Sequence, residues 1–502
     1  MVFSTGFIVL PFLVVLAWVY IRSNSRHRGR SSKLPPGPYP FPIIGNILQL
    51  GRNPHQLLAK LSSTYGPLMS LHLGSMYTVV VSSPEMAKEI LQKHDLVFSS
   101  RRTIPTAGQA HDFHKNSIGL LPVGTKWRNL RKICKEHMFS THSLEASQGL
   151  RQEKLEKLCE YVQECCLKGR VVNIGEVSFV TTLNLMSATL FSIDFTDFDS
   201  DNAQKWKETI EGFLGTVGSP NVADFFPVLK MFDPQGIKRG ADFYIGKLLS
   251  MFEDVINQRL ESRKTDSDSS KKKKDLLEVL IHLSEGSEYD LSLEGMKHFL
   301  LELFMAGSDT TASTVEWVMT ELLQNPKKMS SVKNELITVI EKNIQVKESD
   351  ISKLPYLEAV INEVLRLHPP GPLLLPRKSE SDVEIKGYII PKNSQILVNV
   401  WAIGRESSAW PNPNTFEPER FLDKKFDFNG QNFNFIPFGS GRRMCPGLQL
   451  AIRMLPIMVA SLIHNFDWKL ELGTKPEELD TSEKFGLALH KAVPLKALPI
   501  KL

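Results

Sequence analysis

Phe438-Gly439-Ser440-Gly441-Arg442-Arg443-Met444-Cys445-Pro446-Gly447 sets one cysteine in a glycine-framed loop, directly ahead of an apolar helical run from Leu448 to Ile463. Gly441 and Gly447 can adopt backbone angles closed to other residues, so the chain can come close to a flat ligand. A helix starting after Cys445 points its unpaired N–H groups at the sulfur, and Arg442 and Arg443 add positive charge. Both effects favour the thiolate, the form in which cysteine ligates a metal. The plain alternative is a buried structural cysteine beside a turn. Agreement at Phe438, Gly441, Arg443, Cys445 and Gly447 together is more specific than a lone cysteine.

Around this loop lies a chain of 502 residues, 42% hydrophobic, which is ample for a large core. The net charge of +5 equals the basic residues Arg22, Arg26, Arg28, Arg30 and Lys33, which follow an uncharged stretch from residue 1 to 21. The body is therefore near neutral, which argues against a nucleic-acid partner. Val2 to Ile21 is apolar or uncharged and about long enough to cross a bilayer. Basic residues after the run, and none before it, predict an uncleaved signal-anchor with the body on the cytosolic side. Cys134, Cys159, Cys165, Cys166 and Cys445 form an odd set without zinc spacing, as expected of reduced thiols. The absence of any Asn-x-Ser/Thr acceptor agrees with that placement.

A stiff proline segment, Leu34 to Pro42, follows the basic linker as a spacer. Residues 66–83 read as two strands around Gly74, Pro84 to Lys93 as a helix, and Arg377 to Val400 as a second β region. Most of residues 125–370 has helical periodicity. Ser262 to Asp275 is polar and low in complexity, a solvated loop. The β pieces are too small to be separate domains. The expected organisation is an anchor over 1–21, a basic linker and proline hinge over 22–46, and one α-dominated domain over 47–502.

Three further patterns carry chemistry. Leu300 to Glu321 is a long helical pattern interrupted by Ala306-Gly307-Ser308-Asp309-Thr310-Thr311. Ser and Thr can bond back to helix carbonyls and open a groove, and Asp309 beside Thr310 sets an acid and an alcohol at one level, a pair able to relay protons. The plain reading is a kink with a surface acid. Glu363-Val364-Leu365-Arg366 sets an acid and an arginine on one helix face, and Phe416 to Phe421 offers Arg420. Trp127 and Arg131 share a helix face at i, i+4, while Arg128, Lys132 and Lys135 form a second stripe, either a solvated face or a dock for an acidic partner.

In this order the loop, the acid–alcohol helix and the Glu/Arg stretches resemble the cytochromes P450. Val81 to Ile90, Trp127 to Cys134 and Leu183 to Phe191 further resemble the plant microsomal A-type members that oxidise terpenoids, the group with geraniol hydroxylase and ferruginol synthase. The resemblance implies the P450 fold, mainly α with small β-sheets, behind a single N-terminal transmembrane helix in the endoplasmic reticulum membrane. It implies haem b with Cys445 as its axial thiolate, and Trp127, Arg131, Arg377 and Arg443 on the haem propionates. Glu363, Arg366 and Arg420 become a structural network, and Asp309 and Thr310 supply protons.

Electrons would come from NADPH through the FAD and FMN of a P450 reductase, and the substrate would be a lipophilic terpenoid, a diterpene first. A monoterpene alcohol or another plant specialised metabolite, phenolic or alkaloid, is the alternative. A haem-thiolate isomerase or dehydratase, or a haem-binding protein without turnover, fits less well, since Asp309-Thr310 and a reductase-facing stripe are present. By analogy the pocket is lined from Arg101 to Leu121, Phe299 to Thr311, Gly371 to Leu375 and Phe485 to Leu489, with Ala306, Gly307, Leu373, Leu374, Phe485 and Leu487 named. Glu302, an acid in the apolar run one turn before Ala306, is either a structural acid or a polar handle on an oxygenated substrate.

Overall fold

The computed structural model describes residues 33–501 apart from 102–106, 266–274, 287–288, 290, 342–343, 423–425, 427 and 472. The expected anchor and most of the basic linker lie outside the described residues, as does most of the Ser262–Asp275 loop. From Pro35 onward the proline segment is fastened to the body: Ser70 donates its N–H to Pro36 O at 2.7 Å and its hydroxyl to Pro35 O.

The long helix Leu293–Gln324 organises the molecule. Ser292 starts it, its side chain accepting the Gly295 N–H; Asn325-Pro326 ends it, because proline opens the next helix, Pro326–Val339. Its first half, Met296 to Ala312, belongs to one apolar cluster with the helix Ile237–Thr265 and the stretch Ala110 to Phe139. Its second half, Val315 to Leu323, belongs to another with the helices Pro355–Leu367 and Leu448–Asn465. The small polar stretch 306–311 thus falls near the seam between two cores. The helix is not broken there; Ser308, Thr310 and Thr314 bond to Phe304 O, Ala306 O and Thr310 O within an unbroken span.

Ile174–Phe191 is apolar on all sides because it is buried on nearly all sides against the long helix. A Cβ on Gly307 would sit 2.6 Å from Met186 Sδ. Gly307 therefore serves helix–helix approach and does not line the cavity described below.

The two β regions separated in sequence join in one five-stranded sheet, ordered Leu68–Leu73, Met76–Val81, Gln395–Val398, Arg377–Lys378, Ser100–Arg101. Only Met76–Val81 and Gln395–Val398 run parallel among its pairings. Arg101 pairs directly with Arg377, which brings two guanidinium groups to one sheet edge. The helix expected over Pro84 to Lys93 starts as an α-helix, Pro84–Lys88, and widens into a π-turn over Glu89–Lys93.

Candidate active site

The cysteine loop closes on itself: Cys445 N–H donates to Phe438 O at 3.0 Å and Met444 N–H to Gly441 O at 3.1 Å. Gly441 takes φ 69° and Gly439 φ 74°. A side chain on Gly441 would also meet the Asp95 carboxylate. Gly447 does not play the expected part; it sits at φ −83° as the residue preceding the helix, and Gly439 has the unusual angle instead. Burial pushes the Cys445 thiol up from its ordinary value, against the Gly447 N–H, the Arg131 guanidinium and the Leu448 N–H, which favour the thiolate. The positive charge at the sulfur is thus Arg131, and not Arg442 or Arg443. Arg442 turns outward to Asp95 at 3.0 Å, and Arg443 is engaged elsewhere.

Arg101, Arg131, Arg377 and Arg443 line one cavity of about 380 Å³ together with Cys445 and Trp127. Their donors go mainly to carbonyl oxygens. Arg131 bonds Met444 O at 2.8 Å; Arg443 bonds Ser99 O at 2.7 Å and Ile118 O at 3.1 Å, and also Leu121 O. Arg101 bonds Gly119 O and Leu375 O, and Arg377 bonds Ser440 O at 3.2 Å. Asp95 lies a long 3.5 Å from Arg377, whose Nε is buried without a partner among the described residues. Trp127 gives its indole N–H to Ile118 O and its ring face to Arg443, 4.6 Å away. Burial, with repulsion from neighbouring arginines, holds Arg443 down at about 10, and burial holds Arg377 down at about 10 as well. Buried cations with so little anionic balance are costly, and they suit a ligand that brings its own negative charges.

The opposite wall comes from the long helix. Met305, Ala306, Asp309, Thr310, Thr311 and Thr314 face the cavity. The Asp309 carboxylate lies 3.2 Å from His490 Nε2. Glu302 also reaches the cavity wall, but its oxygens accept from Ser117 Oγ at 2.9 Å, Ile118 N at 2.6 Å and Gly119 N at 2.7 Å. It pins the 117–119 segment to the long helix. Burial pushes its carboxyl up to about 7 despite those donors.

The profile of the family described as "Cytochrome P450" matches residues 35–495. The chain belongs to the cytochrome P450 family. It is 57% identical to "Ferruginol synthase" of Isodon rubescens over 94% of this chain and 96% of that one. It is 54% identical to "Ferruginol synthase" of Salvia miltiorrhiza over 98% and 99%, and 51% identical to "Carnosic acid synthase" of Rosmarinus officinalis over 99% of each. A P450 is a monooxygenase that carries haem on a cysteine thiolate and takes its electrons from a reductase. The cavity fits that group: a cysteine with two N–H groups behind its sulfur on one wall, and at the edge arginines, one with an orphaned Nε, suited to a flat dianion.

Beneath the P450 cavity, Glu363 accepts from Arg366 Nε and Nη2, each at 2.7 Å, and from Arg420 Nε at 3.0 Å, with every side chain of the trio buried or nearly so. Arg366 also bonds Gly404 O and Pro413 O, so this triangle ties the helix Pro355–Leu367 to the segment leading into the cysteine loop. Leu374 and Leu487 line the pocket; Leu373 and Phe485 do not. Those two pack instead beneath the sheet with Leu58 and Leu397, where Phe485 stacks on His55. The positive φ of Leu374, 49°, marks the turn that sends adjacent leucines opposite ways. Arg128, Lys132 and Lys135 are exposed, with Lys132 over the Tyr289 ring at 5.3 Å. Sequence reading missed Phe213, Leu214 and Val217, from the helix Asp201–Gly218, and also His490. The helix is amphipathic and its apolar face signals burial, but nothing in it says what lies opposite.

Proposed function

We propose that this P450 hydroxylates a lipophilic terpenoid, a diterpene ahead of a monoterpene alcohol, with O2 and electrons from NADPH through a P450 reductase. One observation carries the reading: the wall away from Cys445 is apolar, built by Phe113, Phe213, Val217, Leu303, Leu374 and Leu487, in a chain more than half identical over nearly its full length to ferruginol synthases. Cys445 would be the thiolate ligand of the haem, and Trp127, Arg131, Arg377 and Arg443 would hold its carboxylates, with Arg101 beside them. Bound haem supplies the oxygen chemistry. The chain's own side chains orient the substrate, exclude water and move protons: Asp309 relays protons at its carboxyl, and Thr310 Oγ1, now donating to Ala306 O, is the alcohol that passes them on.

Residues 1–21 anchor the protein in the endoplasmic reticulum membrane with the body cytosolic. Arg128, Lys132 and Lys135 receive the reductase by charge complementarity. Microsomes carrying this chain and a reductase, supplied with NADPH and a panel of diterpene hydrocarbons and monoterpene alcohols, should oxidise the diterpenes. Cys445→Ser should abolish both that turnover and the red-shifted Soret band of the reduced carbonyl complex, because an alcohol is a poor electron-donating ligand. Turnover confined to monoterpene alcohols would replace the substrate reading, and a variant that kept band and turnover would remove Cys445 from its role.

A further inference from the structure

We propose that His490 is the positioning residue for Asp309: it holds the carboxylate at the cavity wall and passes it protons from the outer side. The inference rests on the reading of Asp309 as the proton donor. Asp309 lines the cavity; His490 does not, yet its side chain is 31% exposed. Asp309 therefore links the cavity to a partly exposed imidazole that is not itself part of the cavity wall.

The strand His490–Lys491 that carries the imidazole is fixed from two directions. Ser313 Oγ, one turn along the long helix from Asp309, donates to Leu489 O at 2.9 Å, and Leu489 N donates to Pro370 O. Pairing of Lys484 with His490 adds a third restraint. These bonds fix the backbone from which the ring reaches the carboxylate. The charged groups near the ring are Asp309 and Glu316 on the long helix, Glu211 on the helix Asp201–Gly218, Lys484 opposite it in the strand pairing, and Lys491 next to it in its own strand. The acids outnumber the cations. Although burial acts against the charged ring, these acids raise its pKa above the usual histidine value.

The step balances simply. A proton leaves His490 Nε2 for Asp309 Oδ2, giving neutral imidazole and a carboxylic acid. The acid gives its proton up inside the cavity, and the ring regains one from water.

The test compares the parent with Asp309→Asn, His490→Gln and His490→Lys, each reconstituted with reductase and a substrate it turns over. Electrons recovered as product and as peroxide are counted from about pH 6 to about pH 9. His490→Gln should lower the product share by about tenfold, less than the roughly 10²- to 10⁴-fold of a group that itself handles the reacting proton. His490→Lys should restore most of it. Haem content and substrate affinity should be unchanged, which a merely structural role would not predict.

A second readout needs no turnover: melting temperatures of the single variants and the double variant, Asp309→Asn with His490→Gln. A raised histidine pKa stabilises the fold below the unfolded value and loses that contribution as pH climbs through the folded one. The pair should therefore be non-additive near pH 6 and additive near pH 9. If Asp309→Asn uncouples the enzyme and His490→Gln does not, the inference fails and the role of Asp309 stands. If Asp309→Asn itself couples normally, both fail. Additivity at both pH values would mean the pair is not formed, and would also overturn the inference.

Discussion

Two groups of buried arginines lie within a short reach of the same loop, and they are balanced in opposite ways. Arg366 and Arg420 share the Glu363 carboxylate, and their remaining N–H groups end on carbonyls such as Gly404 O, Pro413 O and Pro411 O. Arg101, Arg131, Arg377 and Arg443 rest mainly on carbonyls, are held down by burial, with repulsion from neighbouring arginines added at Arg101 and Arg443, and leave an Nε with no acceptor among the described residues. The first group is complete within the chain, so it acts as scaffold. The second is complete only with an anionic guest, so it acts as a site. Charge balance, more than position in the fold, separates the two.

That contrast can be broken by removing one charge from each. Glu363→Ala leaves two buried guanidinium groups facing each other and should cost about 3–5 kcal/mol, read as a shift of the denaturant midpoint. A loss below about 1 kcal/mol would demote the triangle to an ordinary ion pair.

Glu302 sharpens the border between the groups, since it is a cavity carboxylate with its own donors. Its carboxyl is raised from 4.5 to about 7 by burial, so the folded state prefers the neutral acid. Stability should then fall as pH rises between those values, by up to about 3 kcal/mol, and be flat above. Glu302→Gln should lack this slope. A slope that survives the substitution would place its source elsewhere.

Arg377→Met should act in the reverse sense from Glu363→Ala. It removes a charge the protein does not balance, so the melting temperature of the haem-free protein should hold or rise. Retention of haem against excess apomyoglobin should fall by about 10- to 100-fold, the scale of one or two charged hydrogen bonds worth about 1.5–3 kcal/mol. Equal damage to the haem-free protein would erase the distinction between scaffold and site.

The sequence made the loop, the long helix, the Glu363–Arg366 spacing and both β regions legible, because each is a local pattern with a fixed period or a rare residue at a fixed place. It did not reveal that the β regions pair, since register between Met76–Val81 and Gln395–Val398 is a contact across some 300 residues. The same limit hid the pairing of Arg101 with Arg377, and it hid His490, which matters because it faces Asp309. Errors within runs had another cause. In Leu373-Leu374-Leu375 hydrophobicity is constant, yet Leu374 and Leu375 face the cavity while Leu373 turns away, so the pattern does not separate Leu373, nor Phe485, from the lining. Gly307 was misassigned because a small residue suits a groove and a helix crossing equally well.

The upper cavity wall is assembled from segments near 113–120, 213–217, 302–314, 370–375 and 487–488. None of them belongs to the Glu363–Arg366–Arg420 triangle. Apolar positions in these segments, such as Phe113, Phe213, Val217, Leu303 and Leu487, can exchange one side chain for another without touching that triangle. Inherited variation in this chain therefore has independent dials for the shape of the guest, and a separate, nearly fixed setting for the chemistry done to it. Descendants of one ancestor can part company in substrate while remaining the same catalyst.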